Sequence, residues 1–160
     1  DRPVAPSFLE MTSEEWHRVL RVNLDGVFYT FKAAARHMVK RGDGGALVGT
    51  ASLAAISGQA RGQHYAATKG GVISMIRAMA VEFARYQIRA NAILPGWIET
   101  DMTAKTFANE RFREKVLPRV PMRRWGESSD FGGIAVYLMS EASRYHSGDT
   151  FLIDGAYSIF

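Results

Sequence analysis

The sequence contains no cysteine, which excludes disulfide frameworks, thiolate zinc sites and cysteine nucleophiles. Its apolar runs are all shorter than the roughly 18 residues that a membrane-spanning helix needs, so we expect no transmembrane helix and no membrane partner. The first residues do not combine a basic stretch with an apolar one, and the sequence therefore predicts no signal peptide. Together these absences favour a cytoplasmic protein.

The sequence also lacks a strong charge of either sign. Twenty Lys and Arg face 16 Asp and Glu, which gives a formal net charge of +4 at pH 7. The basic residues are scattered, so we expect no nucleic-acid partner. The four histidines show no metal-ligand spacing, and we predict no metal site. A length of 160 residues with 47% hydrophobic and 22% charged residues is typical of one globular domain, 1–160.

Two long segments carry apolar residues at helical spacing. The first runs over about 13–41 and begins with a capping box, in which Thr12 precedes Glu15 by three residues. The second covers about 63–85. We predict a long helix for each segment, and a shorter helix that ends near residue 139 with Ser129 or Asp130 as its N-cap.

Three short apolar segments bounded by turn residues predict buried strands: 46–51, 89–94 and 151–153. Strands that alternate with helices of this length indicate βαβ units and a parallel sheet. Three strands alone would leave an outer strand unpaired, which proteins normally avoid. The sequence therefore predicts an α/β fold that forms part of a doubly wound parallel sheet.

Tyr65 and Lys69 are the sharpest chemical signal in the chain. Their i and i+4 spacing places both on one face of the second long helix. A cation beside a phenol favours the phenolate, which allows a tyrosine to exchange a proton with an alcohol or a carbonyl compound. Because Y-x-x-x-K is a short pattern, the pair alone is more readily interpreted as two surface residues that happen to lie four positions apart.

The surrounding residues strengthen the catalytic interpretation of this pair. Ser52 follows the first predicted strand, and Pro95 and Gly96 follow the second. Ligands of doubly wound sheets bind beyond the carboxyl ends of the strands, where these residues are expected to meet. This order of strand, Ser, helix with Tyr and Lys, strand and Pro-Gly resembles the short-chain dehydrogenase/reductase family.

The resemblance extends over nearly the whole chain. Residues 22–24 (VNL) resemble a helix segment of the family, residues 65–71 (YAATKGG) its Y-A-A-[ST]-K sequence, and residues 91–100 (NAILPGWIET) its N-x-[IV]-x-P-G-x-[IV]-x-T signature. Residues 152–156 (LIDGA) resemble the C-terminal V-D-G-G strand, with Ala156 in place of its second glycine. Within the family, the chain is most similar to bacterial 3-oxoacyl-[acyl-carrier-protein] reductases and to sugar or polyol dehydrogenases.

The resemblance implies an NAD(P)-dependent oxidoreductase that interconverts a ketone and a secondary alcohol, with a small carbonyl or alcohol compound as substrate. It implies that Tyr65 is the general acid and base, that Lys69 stabilises its phenolate and binds the nicotinamide ribose, and that Ser52 polarises the substrate carbonyl. It also implies that Asn23 holds a water molecule that links Lys69 to solvent in a proton relay. The residues implied to contact NAD or NADP are Tyr65, Lys69, Pro95, Gly96, Ile98 and Thr100.

One element of the family pattern is missing from the sequence. We find neither the glycine-rich turn T-G-x-x-x-G-x-G nor the N-N-A-G strand end, so the chain resembles only the C-terminal portion of the Rossmann-type sheet, without the N-terminal βαβ half. The residue that would select NAD or NADP belongs to that half. Two hypotheses remain: part of an active enzyme, or a truncated, non-catalytic oligomerising chain that cannot bind dinucleotide.

Other features keep two interpretations open. The resemblance implies that the segment 100–125 is a substrate loop, and the alternative is an ordinary excursion packed on the domain. Its arginines are candidates either for contact with an acidic substrate or carrier or for solvated surface: Arg111, Arg113, Arg119, Arg123 and Arg124. Apolar residues of the two long helices belong either to the core or to the contacts of a homo-oligomer, a dimer or tetramer, that the family resemblance implies.

Overall fold

The computed structural model describes residues 6–160; residues 1–5 of the predicted domain lie outside this range. Its strands are β1 (Gly45–Thr50), β2 (Ile88–Pro95) and β3 (Thr150–Ile153). Its α-helices are α1 (Ser13–Leu20), α2 (Gly26–Arg41), α3 (Gln63–Phe83), α4 (Ala104–Phe107), α5 (Glu110–Val116) and α6 (Gly132–Met139). None of the helices in the described range is long and apolar enough to cross a membrane.

The three strands form one parallel sheet in the order β1–β2–β3. Thr50 at the end of β1 lies opposite Ile93 of β2, and Pro95 at the end of β2 lies opposite Ile153 at the end of β3. The carboxyl ends of all three strands therefore meet at one edge of the sheet. This arrangement confirms the predicted α/β fold with a parallel sheet.

The hydrophobic core lies between the sheet and the two long helices. It joins apolar side chains of β1 and β2 with those of α2 and α3, among them Leu47, Ala90, Leu94, Phe31, Val72 and Ile76. Gly49 of β1 is part of this contact, because a Cβ atom there would lie 3.2 Å from the Ile76 side chain. Helix α6 packs against β1 as well, and its Leu138 is fully buried.

The first predicted helix, 13–41, is interrupted by a π-helical turn. Thr12 and Glu15 form the predicted capping box at the start of α1. Between α1 and α2, residues Arg21–Asp25 form the π-helical turn, in which the Gly26 N–H donates to the carbonyl oxygen of Arg21. Because π-helical turns occur often at functional sites, it is relevant that Asn23 lies within this one.

The predicted N-cap of the third helix is wrong. A 3₁₀ turn, Ser128–Phe131, precedes α6, and Glu127 caps that turn. The Asp130 carboxylate accepts the backbone N–H of Glu127 at 2.9 Å and forms a paired contact with the guanidinium of Arg124 at 2.7 Å. This pairing draws the Asp130 side chain back towards the preceding loop, so Asp130 occupies the third position of the turn and does not cap α6.

Between β2 and β3 the chain makes a long excursion that contains α4 and α5. Four aromatic side chains form a cluster within it, with Trp97, Phe107, Phe112 and Trp125 in mutual ring contact. The closest pair, Phe107 and Trp125, is stacked at 4.2 Å between ring centroids. The cluster packs the excursion against the end of β2, whereas a role of the segment 100–125 as a substrate loop stays a prediction.

Candidate active site

A cleft of about 910 Å³ opens at the carboxyl ends of β1 and β2. Its walls come from the strand ends, from α3, from the excursion and from α6, which contributes Ala135. Most residues that the sequence singled out for the reaction and for the cofactor line this cleft: Ser52, Tyr65, Lys69, Pro95, Gly96, Ile98 and Thr100. Asn23 is not part of the lining.

Tyr65 and Lys69 lie on the face of α3 that is turned to the cleft. Both residues belong to the first half of the helix, and Tyr65 lies two positions after the first helical residue, Gln63. The Lys69 Nζ atom lies 5.6 Å from the centroid of the Tyr65 ring. The predicted juxtaposition of a cation and a phenol is therefore present in the folded chain.

The Lys69 ammonium group is tied to the end of the first strand. Its Nζ atom donates a hydrogen bond to the backbone carbonyl oxygen of Thr50 at 2.8 Å. Burial lowers the pKa of Lys69 from its usual value of 10.5, because desolvation disfavours the charged form. An ammonium group carries three N–H donors, so Lys69 retains donors for a ligand beyond the bond to Thr50.

Ser52 begins the loop that follows β1. Its backbone is extended, and its Oγ atom accepts the backbone N–H of Ala54 at 3.1 Å, which caps the short 3₁₀ turn Leu53–Ala55. A serine hydroxyl accepts and donates at the same time. The bond from Ala54 uses one acceptor position and leaves the Ser52 O–H free to donate into the cleft.

Asn23 is linked to the Tyr65 helix through Thr68. The Asn23 amide Nδ2 lies 3.4 Å from the Thr68 Oγ1 atom, which in turn donates to the Tyr65 carbonyl oxygen at 2.7 Å. Thr68 is fully buried. This contact holds the π-helical turn against α3, the helix that carries Tyr65 and Lys69. The sequence analysis did not predict this role for Thr68.

Gly96 allows the ends of β2 and β3 to approach each other. A Cβ atom at this position would lie 2.5 Å from the Asp154 Cβ atom and 2.7 Å from its Cα atom. Asp154 itself closes a turn, because its carboxylate accepts the backbone N–H groups of Ala156 and Ser158 at 3.0 and 2.9 Å. The Pro-Gly signature thus fixes the floor of the cleft where the strands end.

Two further residues of the cleft were not identified from the sequence. Trp97 lines it beside Gly96, and its adjacency to the Pro-Gly pair was an available signal. Gln59 lies in the loop after β1, where no spacing or periodicity distinguishes it. The indole Nε1 of Trp97 is buried and has no hydrogen-bond partner within the described part of the chain.

The side chains of the cleft include donors of the kind that a nicotinamide dinucleotide binds. Within residues 6–160 no group of three or more His, Asp or Glu side chains could hold a metal. Lys69 and Tyr65 offer an ammonium group and a hydroxyl, and Pro95 and Gly96 line the same cleft. Such donors fit the ribose and nicotinamide end of NAD or NADP.

Comparison with known proteins identifies a family model and relatives that match the chain. A family model described as enoyl-(acyl carrier protein) reductase matches residues 1–158. The chain is 40% identical over 149 residues to L-rhamnose 1-dehydrogenase (NAD(P)(+)) of Azotobacter vinelandii, covering 93% of this chain and 58% of the relative. It is 38% identical over 149 residues to 2-dehydro-3-deoxy-D-gluconate 5-dehydrogenase of Escherichia coli, with coverages of 93% and 59%.

A solved structure shows the same fold. The chain matches a gluconate 5-dehydrogenase from Burkholderia cenocepacia, in complex with NADP and tartrate, with a TM-score of 0.94 at 34% identity, covering 98% of this chain and 61% of that one. The chain spans somewhat less than three-fifths of the two curated relatives named above. Because the family model covers nearly all of its residues, the chain belongs to the short-chain dehydrogenase/reductase family.

Proposed function

We propose that this chain carries the catalytic residues of an NAD(P)-dependent oxidoreductase that interconverts a ketone and a secondary alcohol. The observation that carries the proposal is the meeting of Tyr65, Lys69 and Ser52 in one cleft at the carboxyl edge of the sheet. The dehydrogenases of L-rhamnose and of 2-dehydro-3-deoxy-D-gluconate among the relatives support a sugar-like substrate. The bound cofactor, NAD or NADP, supplies the hydride chemistry at the carbinol or carbonyl carbon.

Tyr65 is the group that moves the proton. In oxidation its Oη atom takes the hydroxyl proton of the alcohol while the carbinol carbon loses a hydride, and a carbonyl double bond forms. In reduction Tyr65 returns the proton to the oxygen as the carbonyl carbon gains the hydride. The Lys69 ammonium, 5.6 Å from the Tyr65 ring, stabilises the phenolate that exists between these steps.

Ser52 binds and polarises the substrate oxygen. Its O–H is free to donate because the bond from the Ala54 N–H occupies an acceptor position only. A donor aimed at an oxygen that gains negative charge stabilises the transition state more than the ground state. Ser52 therefore complements Tyr65 at the same substrate oxygen.

Asn23 supports the proton supply to Lys69 from behind. Its contact with Thr68 holds the π-helical turn next to α3, on which Lys69 lies one residue after Thr68. A water held by Asn23 in this position would connect the Lys69 amine to solvent, and protons removed by Tyr65 would leave along this path. Pro95, Gly96, Ile98 and Thr100 line the same cleft and would hold the nicotinamide end and the phosphates of the cofactor.

We extend the proposal to a homo-oligomer built through the two long helices. Phe31 of α2 is buried in the core, whereas Phe28 and Tyr29 remain 43% and 66% exposed on the same helix, and Val81 of α3 is 81% exposed. Phe28 and Tyr29 are in contact, with 5.2 Å between their ring centroids, and an exposed apolar pair of this kind favours an interface. Analytical ultracentrifugation should give a dimer or tetramer, and a monomer at micromolar concentration would contradict this part of the proposal.

The enzymatic proposal is tested by following the label of a deuterated substrate. The protein as its gene encodes it is mixed with NAD or NADP and with sugars, polyols and sugar acids that carry deuterium on the reacting carbon. We expect direct transfer of deuterium to the reduced nicotinamide for at least one substrate. Absence of dinucleotide binding and of transfer throughout the panel would instead favour a non-catalytic oligomerising protein.

A further inference from the structure

Among residues 6–160, two cations and no carboxylate line the cleft and a smaller pocket that continues from it. Lys69 is the charged residue of the cleft lining. The adjoining pocket, of about 340 Å³, shares Ser52 and Gln59 with the cleft and has Arg119 as its charged residue. A concave site lined by one sign of charge concentrates ligands of the opposite sign.

Arg119 differs from the other arginines of the same segment in its contacts. Arg124 is paired with the Asp130 carboxylate, and Arg123 donates to the carbonyl oxygen of Pro118. Arg113 lines a separate groove in the company of glutamates. Arg119 alone among these faces the pocket that contains Ser52, and no ion pair with a carboxylate involves it within residues 6–160.

The guanidinium of Arg119 is positioned by an aromatic ring. Its Cζ atom lies 4.6 Å from the centroid of the Tyr157 ring, and Tyr157 lines the same pocket. Stacking on an aromatic face leaves the edge of a guanidinium available, and that edge carries the N–H pairs that match the two oxygens of a carboxylate. The paired N–H groups of a single guanidinium therefore suit a single carboxylate, which is planar and carries one negative charge.

We propose that Arg119 binds a carboxylate of the substrate, so that polyhydroxy acids and not neutral sugars are the substrate class. The inference rests on the proposed function, since it places the reacting hydroxyl at Ser52 and Tyr65 and the acid group in the adjoining pocket. Ser52 and Gln59 line both spaces, so the cleft and the adjoining pocket meet there. One continuous substrate can therefore reach from the cleft into the pocket.

The test compares compounds that differ at one end of the chain. D-Gluconate, D-glucitol and D-glucitol 1-phosphate share their remaining hydroxyl groups, but carbon 1 carries a carboxylate in the first, a neutral alcohol in the second and a phosphate ester in the third. For the protein as its gene encodes it, we expect kcat/KM to be highest for the carboxylate. Equal values for the carboxylate and the neutral alcohol would overturn the proposal, and a clear preference for the phosphate would assign the pocket to a different anion and overturn it as well.

Variants connect the preference to Arg119. Arg119→Gln should lower kcat/KM for the acid by about 10- to 100-fold, the range expected for a charge-assisted hydrogen-bond pair, with most of the loss in KM. The loss in kcat/KM for a neutral substrate should be clearly smaller than the loss for the acid, and Arg119→Lys should recover part of the loss for the acid. Arg111→Gln, an exposed arginine of the same segment that lines neither space, is the matched control. An equal loss for acid and neutral substrates would show a merely structural effect.

A binding measurement separates this inference from the proposed function. D-Gluconate, but not D-glucitol, should raise the thermal unfolding midpoint of the wild type and leave that of Arg119→Gln unchanged. If no substrate is turned over while this shift is observed, the proposed function fails and the carboxylate site stands. If turnover is observed but gluconate stabilises wild type and variant alike, the carboxylate site fails alone.

Discussion

At the scale of single residues, the chemistry of the site follows from side chains that the sequence already displays. The i and i+4 spacing of Tyr65 and Lys69 determines that they share a helix face once α3 forms. The spacing does not predict the hydrogen-bond partner of the Lys69 ammonium group. That partner, the Thr50 carbonyl oxygen, lies 19 positions away in the sequence and meets Lys69 only because α3 packs on β1. The lowered pKa of Lys69 is likewise a product of burial and not of neighbours in sequence.

The buried Lys69 predicts a specific pH dependence of stability. Between its lowered pKa and 10.5, the unfolded chain holds the Lys69 proton and the folded chain does not, so this group makes the free energy of unfolding rise with pH. Below that window both states are protonated and the cost of burying the charge is fully present. Relative to Lys69→Met, the wild type should therefore gain stability in urea titrations as the pH rises towards 10.5.

A matched substitution at the exposed Lys40, Lys40→Met, controls for the loss of one positive charge. The account of Lys69 is contradicted if the difference between the wild type and Lys69→Met stays flat, or shrinks, over the same pH range.

Ala156 is a second residue with a testable consequence. It occupies the position of the family's second glycine with φ of 70° and ψ of 15°, in the left-handed region. A side chain there is strained, so Ala156→Gly should raise the free energy of unfolding by about 1 kcal/mol. Ala108→Gly, at a φ of −70°, is the control and should give no gain. Chemical denaturation measures both, and a loss of stability in Ala156→Gly would contradict the strain.

At the scale of elements, apolar periodicity predicted where the helices and strands lie but not how they are joined. The strand predictions 46–51, 89–94 and 151–153 differ from β1, β2 and β3 by one residue at most at either end. The π-helical turn was not predicted, because a hydrogen bond from Gly26 to Arg21 leaves the apolar pattern nearly unchanged. The cap of the third helix was missed because the bond between Arg124 and Asp130 redirects the Asp130 side chain.

The junction of β2 and β3 gives the prediction at this scale. In Gly96→Ala, the new Cβ atom would lie 2.7 Å from the Asp154 Cα atom, so the backbone of one strand end must shift. We expect a loss of about 1–3 kcal/mol in the free energy of unfolding, together with a higher KM for the dinucleotide. Gly133→Ala, where nothing lies within 4 Å of the new Cβ atom, is the control. Unchanged stability and KM in Gly96→Ala would contradict the close approach.

At the scale of the whole molecule, the candidate site exists because distant segments converge on one edge of the sheet. The proposed catalytic residues on α3 and after β1 could be predicted from motifs, whereas Arg119 and Tyr157 come together only through the excursion and the C-terminal turn. The aromatic cluster around Trp97 is likewise invisible in local periodicity, since its members lie on separate short elements. The chain covers 58% of the L-rhamnose dehydrogenase that it resembles. The proposed activity should therefore be measured on the protein as its gene encodes it.

The most direct measurement is dinucleotide-dependent turnover of the wild type beside Tyr65→Phe. If Tyr65 moves the proton, the variant should lose at least about 100-fold in kcat while keeping its circular dichroism spectrum. Tyr145→Phe, at a residue that is 99% exposed, should match the wild type. Turnover by Tyr65→Phe at the wild-type rate would contradict the assignment of Tyr65 as the general acid and base, and with it the proposed function.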